Sequence, residues 1–226
     1  MTKVICLDFD GTVLTNNVSR EVLEHFAGDD WLGLKQEFEA GNTTIEQYSS
    51  AAMSLVEADE EDIASFAVSA ARPRAGLGEL VDWASAAGWQ PLIVSASLDI
   101  LVGPILESFG LGHLARHAGR ARKQYRWRVR YLSPRGIEIA AGFKLSYVKA
   151  LQSAGDFVVF AGDGPSDVEP ARAADAVFAR DSLLEAIGGE RDLVYPFETF
   201  DAMTNTMVQE SARWLGSPGE AAAESF

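Results

Sequence analysis

Residues 3–17 read KVICLDFDGTVLTNN. Val4 to Leu7 form a mostly apolar run that enters Asp8, and Phe9 separates Asp8 from a second carboxylate, Asp10. An apolar run of this length closed by Gly11-Thr12 predicts a buried strand followed by a turn. Two acids at the end of such a strand are costly unless they have a task. Taken alone, the pair is also compatible with a solvent-facing turn or a turn cap.

Working outward, residues 17 to about 72 contain no convincing strand. Val22, Leu23 and Phe26 have helical spacing, as do Trp31, Leu34 and Phe38. TTIEQYSSAAMSLV (43–56) carries Thr44 and Gln47 in a capping-box pattern, and EADEEDIASFAVSAA (57–71) has an acidic first turn. From Pro73 to Gly76 the pattern changes. LGELVDWASAAG reads as a helix stopped by Gly88, WQPLIVSAS as a strand ending in small hydroxyl residues, and DILVGPILESFG as a helix. Residues 147–153 read as helical, DFVVFAGDGPSD as a strand entering a glycine-rich turn, and VEPARAAD, AVFARD and SLLEAIG as helix, strand and helix. This alternation predicts parallel strands joined by right-handed crossovers. The expected fold is α/β. Residues 1–14 and 76–215 form a Rossmann-like parallel sheet core, and residues 15–75 form a small helical cap inserted after the first strand. The small, polar tail 216–226 is expected to be disordered.

The 226 residues fit one core domain with an insert, and a 47% apolar content is enough for a substantial core. The net charge of −14 argues against non-specific nucleic-acid or anionic-membrane binding by the whole surface. Cys6 is the only cysteine, which excludes an internal disulfide and suits a reducing, cytoplasmic setting. The N-terminal run lacks a signal-peptide pattern, and no apolar run approaches a membrane span.

One segment differs from the rest. Arg116, Arg120, Arg122, Lys123, Arg126, Arg128, Arg130 and Arg135 lie in a window without acids, which leaves 11 basic against 33 acidic residues elsewhere, a formal −22. Within it YRWRVRY (125–131) alternates, with Arg126, Arg128 and Arg130 on one face and Tyr125, Trp127, Val129 and Tyr131 on the other. A basic β-hairpin over 116–140 is expected. Its basic face is a solvated strand face, a patch that steers anionic substrates, or a docking surface for an acidic partner, including a second copy in a homodimer. Base stacking on the aromatics conflicts with the net charge.

Open parallel sheets bind ligands at the carboxyl ends of their strands. Four polar clusters fall at such positions: Asp8 with Asp10; Ser95 after LIV; Lys144 before a helix; and Asp163 with Asp167 in GDGPSD. Four carboxylates in one crevice would repel one another unless a hard cation and a lysine offset them. Mg2+ suits carboxylate, water and phosphate oxygens, and no His or Cys cluster favours a softer metal. This combination points to phosphoryl transfer.

The ordered set DFDGTV (8–13), LIVSAS (92–97), Lys144 and GDGPSD (162–167) resembles the four motifs of the haloacid dehalogenase superfamily, in its phosphatase branch. The helical insert resembles the cap of the phosphoserine phosphatase-like group. DFDGTVLTNN, DDWLGLKQEFEAGNTTIEQ and VFARDSLLEAI are similar to methionine-salvage phosphatases that act on an enol phosphate. The chain departs from them before Lys144, where AAGFK replaces paired cysteines, and from phosphoserine phosphatases at Asn17, which replaces a glutamate that binds the substrate amine.

The resemblance implies Asp8 as nucleophile, Asp10 as acid and then base, and Mg2+ held by Asp8, the carbonyl of Asp10, and Asp163, with Asp167 orienting a water or Lys144. Ser95, Ala96, Gly11, Thr12 and Lys144 are the expected phosphate-binding residues. Asn16, Asn17, Trp31, Lys35 and Arg72 are candidates for contact with the leaving group, though Trp31 on an apolar stripe also fits a core position and Arg72 beside Pro73 a hinge. The implied activity is hydrolysis of a small phosphomonoester. Phosphoserine or sugar phosphatase action, and a catalytically silent binding protein of the same fold, are the alternatives.

Overall fold

The computed structural model describes residues 1–190 and 192–216. Strand β1 (Lys3–Leu7) lies at the centre of an eight-stranded sheet of order β5-β4-β3-β2-β1-β6-β7-β8. Its flanking partners are β2 (Trp89–Leu98) and β6 (Phe157–Gly162), both parallel to it. A strand paired on both edges and covered on both faces must be apolar throughout. Ile5, Cys6 and Leu7 are fully buried accordingly. Strands β7 (Ala176–Ala179) and β8 (Val194–Pro196) continue the parallel arrangement.

The sheet is mixed: the core strands are parallel as expected, and antiparallel strands extend one edge where the hairpin was expected. β3 (Ala115–Lys123) begins as a core strand, with Ala115 to His117 parallel to Leu92 to Val94. Its second half, Arg120 to Lys123, pairs antiparallel with β4 (Trp127–Leu132), which in turn pairs with the two-residue β5 (Glu138–Ile139). The basic segment is therefore an extension of the main sheet. Trp127, Val129 and Tyr131 are buried and the arginines between them exposed, as alternation requires. Tyr125 does not share the apolar face: it sits in the turn before β4 and is fully exposed. Arg122, Lys123 and Arg130 form ion pairs with Asp99, Asp59 and Glu138.

Helices α1 (Val18–Phe26), α2 (Trp31–Glu39), α3 (Ile45–Met53) and α4 (Glu60–Ala70) follow β1 before the chain returns through α5 (Leu77–Ala86) to β2. Thr44 and Gln47 form a reciprocal capping box on α3. The two crossings between this insertion and the core run side by side, with Thr15 N–H donating to Arg72 C=O and Arg74 N–H to Val13 C=O, each at 2.9 Å. Helix α6 (Asp99–Ser108) follows β2. Helix α7 begins at Phe143 and runs to Ser153, earlier than the expected 147, so Lys144 belongs to its first turn. Helices α8 (Val168–Ala173), α9 (Asp181–Ile187) and α10 (Phe200–Trp214) complete the layers. No helix among the described residues is long and apolar enough to cross a membrane. The expected disordered tail lies, apart from Gly216, outside the described residues.

Candidate active site

β1 delivers Asp8 to the end of the sheet, where its N–H still donates to Ala161 C=O at 2.9 Å. The backbone is thus fixed up to the carboxylate itself. Beyond it Phe9–Val13 make one wide turn, closed by Leu14 N–H to Phe9 C=O at 2.9 Å. Gly11 takes φ +81°, and a Cβ there would lie 2.2 Å from Asp163 Oδ2. Both the positive φ and the close approach demand glycine.

Asp8 is 5% exposed, yet it sits among groups that offset its charge. Lys144 Nζ lies 2.7 Å from Asp8 Oδ1 and 2.6 Å from Asp167 Oδ1. Ser95 Oγ donates to Asp8 Oδ1 at 3.1 Å. Burial opposes the charge on Lys144, but Asp167 and Asp8 outweigh it and hold the ammonium above the ordinary lysine range. Asp163, in the turn after β6, accepts from Thr12 Oγ1 at 3.0 Å. Asp167 folds back, so that Oδ2 accepts from the N–H groups of Asp163 and Gly164 at 3.2 and 3.1 Å. That fold needs Gly162, where a Cβ would meet Asp167 Cγ at 2.6 Å.

The donor set fits a hard divalent cation. Asp8, Asp163 and Asp167 each offer an oxygen, all within 4.8 Å of one another. Burial first, then the charges of Asp8 and Asp167, push Asp163 up to about 8. Burial and Asp8 push Asp167 up to about 6. Such mutual repulsion is what a bound cation relieves. Both oxygens of Asp167 are committed to protein donors, whereas Asp8 and Asp163 each keep one oxygen, Oδ2, outside the hydrogen bonds described. Asp8 and Asp163 are therefore the better direct ligands, with Asp167 holding Lys144 and the turn.

Asp10 points to the insertion. Oδ1 accepts from Val18 N–H at 2.7 Å and Ser19 N–H at 3.4 Å, and Oδ2 meets Ser19 Oγ at 2.6 Å. Ser19 Oγ lies 2.8 Å from Ser97 Oγ. Burial raises the carboxyl of Asp10, working against the Ser19 hydroxyl and the Val18 and Ser19 amides, so it holds a proton more readily than an ordinary aspartate.

These groups floor a cavity of about 270 Å³ between core and insertion. Ser95, Ala96, Asp10, Asp163, Asn17 and Lys35 also line it. The structure does not bring five other expected residues to it. Thr12 is buried with its hydroxyl spent on Asp163, and Gly11 lies beneath the same carboxylate. Asn16 binds Glu21 Oε1 and Ala70 C=O; Trp31 is buried in the core; Arg72 is exposed at the crossing. Asn17 uses its side-chain oxygen to cap α1, accepting from Arg20 N–H at 2.8 Å.

Other residues had no signal in the sequence. Val22, Leu23, Met53, Leu98 and Leu101 give the cavity an apolar wall, and Arg20 also lines it. Arg74 is buried without a carboxylate partner among the described residues. Its guanidinium donates to the carbonyls of Gly11, Thr12, Leu14 and Glu198 and lies over the Phe197 ring, 5.9 Å from the centroid. It pins the catalytic turn from below. Only the neighbouring Pro73, which marks the crossing, hinted at it.

A carboxylate on a central strand end, a second two residues on, a lysine and a paired-aspartate turn define a hydrolase site of known class. Residues 5–172 match the family model of the haloacid dehalogenase-like hydrolases, and the chain belongs to that family. Among its relatives is the 2-hydroxy-3-keto-5-methylthiopentenyl-1-phosphate phosphatase of Bacillus pumilus, 29% identical over 205 residues, 87% of each chain. The enzyme of the same name from Geobacillus thermodenitrificans is 30% identical over 204 residues, 87% of this chain and 91% of its own. A substrate-bound phosphoserine phosphatase structure shares the fold with TM-score 0.69 at 19% identity, covering 91% of this chain and 98% of the other. The chain is a phosphatase whose clustered Asp8, Asp163 and Asp167 are able to gather round a divalent cation.

Proposed function

We propose that the chain hydrolyses a small enol phosphate carrying a short apolar, sulfur-bearing arm, the substrate class named for its relatives from Bacillus pumilus and Geobacillus thermodenitrificans. The observation that carries this reading is the cavity itself, with catalytic carboxylates on its floor and Val22, Leu23, Met53, Leu98 and Leu101 along its wall. Such a wall favours an apolar arm by burial. Met53 suits a thioether, because its own polarizable side chain adapts to an irregular partner. Phosphoserine fits less well, since Asn17 is occupied in capping α1 and offers no charge to an ammonium.

Asp8 attacks phosphorus in line through one carboxylate oxygen, while the bonds from Ser95 and Lys144 hold the group in place. The bond from phosphorus to the leaving oxygen breaks, and Asp10 gives that oxygen its proton. Ser19 can turn its hydroxyl to Ser97 when Asp10 Oδ2 carries the proton, and back when it does not. Water then attacks the aspartyl-phosphate and yields its proton to Asp10; phosphate leaves and Asp8 is restored. Mg2+ held by Asp8 and Asp163 would neutralise charge on the phosphoryl oxygens. Lys144 offsets the charge of Asp8 and of the phosphoryl group.

Helices α1–α4 act as the cap in this reading. Asp8, Ser95 and Lys144 are all at most 5% exposed, so a cap seated over bound substrate would keep water from the reacting atoms. The buried Cys6, its thiol pushed up to about 12 by burial, is inert and suits a reducing cytoplasm. The acidic surface speaks against nucleic acid as a partner.

The test is a panel of metabolite phosphates with and without Mg2+. The enol phosphate should be the best substrate, and Asp8→Asn should abolish phosphate release. Unchanged release by that variant overturns the covalent route; preference for phosphoserine overturns the substrate class.

A further inference from the structure

Helix α7 carries Lys144 in its first turn but has no cap of its own. Gly142 precedes it in a left-handed conformation without a side chain, and its first turn contains no acid. The cap comes from elsewhere: Glu46, at the start of α3 in the insertion, accepts the Phe143 N–H through Oε1 at 2.7 Å. Glu46 is 4% exposed, and its other oxygen, Oε2, has no hydrogen-bond partner among the described residues. A carboxylate at a helix N-terminus is favourable, through both the charge-assisted bond and the helix dipole. Burying a carboxylate with one oxygen unpartnered is unfavourable. The contact is therefore specific without being strong, as a releasable latch must be.

Two further bonds cross the same seam. Thr44 Oγ1 donates to Ala140 C=O at 2.6 Å, and Ser50 Oγ to Val129 C=O at 3.3 Å. Of the three, only the Glu46 bond ends on the helix that holds the catalytic lysine. We propose that Glu46 is a positioning residue: it completes the N-terminus of α7, and so places Lys144 fully, only while the insertion is seated on the core. Cap closure and the charge balance at Asp8 are then one event. An open enzyme would hold Lys144 on a frayed first turn, and closure would sharpen it against Asp8 and Asp167.

This inference rests on the phosphatase reading for its kinetic arm and is independent of it in the other. Glu46→Ala should lower kcat roughly 10- to 100-fold with KM changed less than about threefold, the scale expected for a misplaced catalytic group. Glu46→Gln keeps an oxygen that accepts the Phe143 N–H and should restore kcat to within about threefold. Ser50→Ala, which loosens the same seam away from α7, should leave kcat unchanged. Hydrogen exchange on the resting protein supplies the second arm. In Glu46→Ala the Phe143 amide should exchange about tenfold faster or more, while amides of the Val13–Arg74 crossing stay unchanged. Equal kcat losses in Ser50→Ala and Glu46→Ala, or unchanged exchange at Phe143, overturn the proposal by reducing Glu46 to a docking contact. Absence of turnover by the wild type would overturn the phosphatase reading and leave the exchange result to decide the latch. If Glu46→Ala does not fold, Glu46→Gln carries both arms: kcat and Phe143 exchange near wild type support the latch, and loss of either overturns it.

Discussion

The floor and the wall of the cavity belong to one site but are built differently. The floor is polar, and its side chains are held by bonds to the strand ends of the core: Asp8 by Ser95 and Lys144, Asp163 by Thr12, Asp167 by two backbone amides. The wall is apolar and comes largely from α1 and α3 of the insertion, together with the end of β2 and the start of α6. On the proposed function, the floor performs the reaction and the wall selects the leaving group. The chemistry would then be confined to a few fixed atoms, and the specificity spread over side chains that can be exchanged without touching the reaction.

The sharpest way to break this comparison is at Asp10, which belongs to the floor but is hydrogen-bonded to the insertion. Asp10→Asn should lower phosphate release by about 10²–10⁴-fold for every substrate alike. Loss confined to the enol phosphate would place Asp10 with the wall. Arg74 tests whether the floor is held from below. Arg74→Met leaves the carbonyls of Gly11, Thr12 and Glu198 without their buried donor and should cost roughly 2–4 kcal/mol in denaturant unfolding. An unchanged unfolding midpoint would show that the turn holds itself.

The wall is probed by Met53→Ala. It should raise KM about tenfold for a substrate with an apolar arm, with little change for a compact polar phosphate. Equal changes for both would return Met53 to the core. The smallest effect separates the charge of the floor from its packing. Asp163 and Asp167 hold their protons to about 8 and about 6 in the folded chain, above the ordinary 3.8 of an unfolded aspartate. The folded state thus binds more protons than the unfolded one, and stability falls as pH rises from about 4 through about 8. Mg2+ binds the ionised carboxylates and offsets that loss, so its stabilisation, by a few degrees in thermal melting, should be larger at pH 8 than at pH 5. Equal shifts at the two pH values would mean that the acids are not sharing a cation.

Much of the floor was legible because strand ends constrain residue type. Asp8, Ser95, Lys144 and Asp163 each sit where an apolar run stops or a helix starts, and their order along the chain is itself a pattern. Thr12 shows how little of a side chain's direction is local. It was expected among the phosphate-binding residues, and its hydroxyl is turned to Asp163. Trp31 took the core position that its apolar stripe allowed, since an aromatic on a helical stripe looks the same whether it faces a core or a ligand. Ser19 and Glu46 gave no signal, because each acts through a partner 9 to 97 residues away in the chain.

The sequence by itself determined the α/β class, the insertion after the first strand and the acids of the floor. Local hydrophobic period and strand-end chemistry are written in consecutive residues. Tertiary structure alone decided that the basic segment prolongs the main sheet, that Asp10 is tied to the insertion, and that a glutamate of α3 caps the helix of Lys144. Strand pairing, caps borrowed across a seam and buried charges are settled by which surfaces meet, and that is a property of the packed chain rather than of any stretch of it.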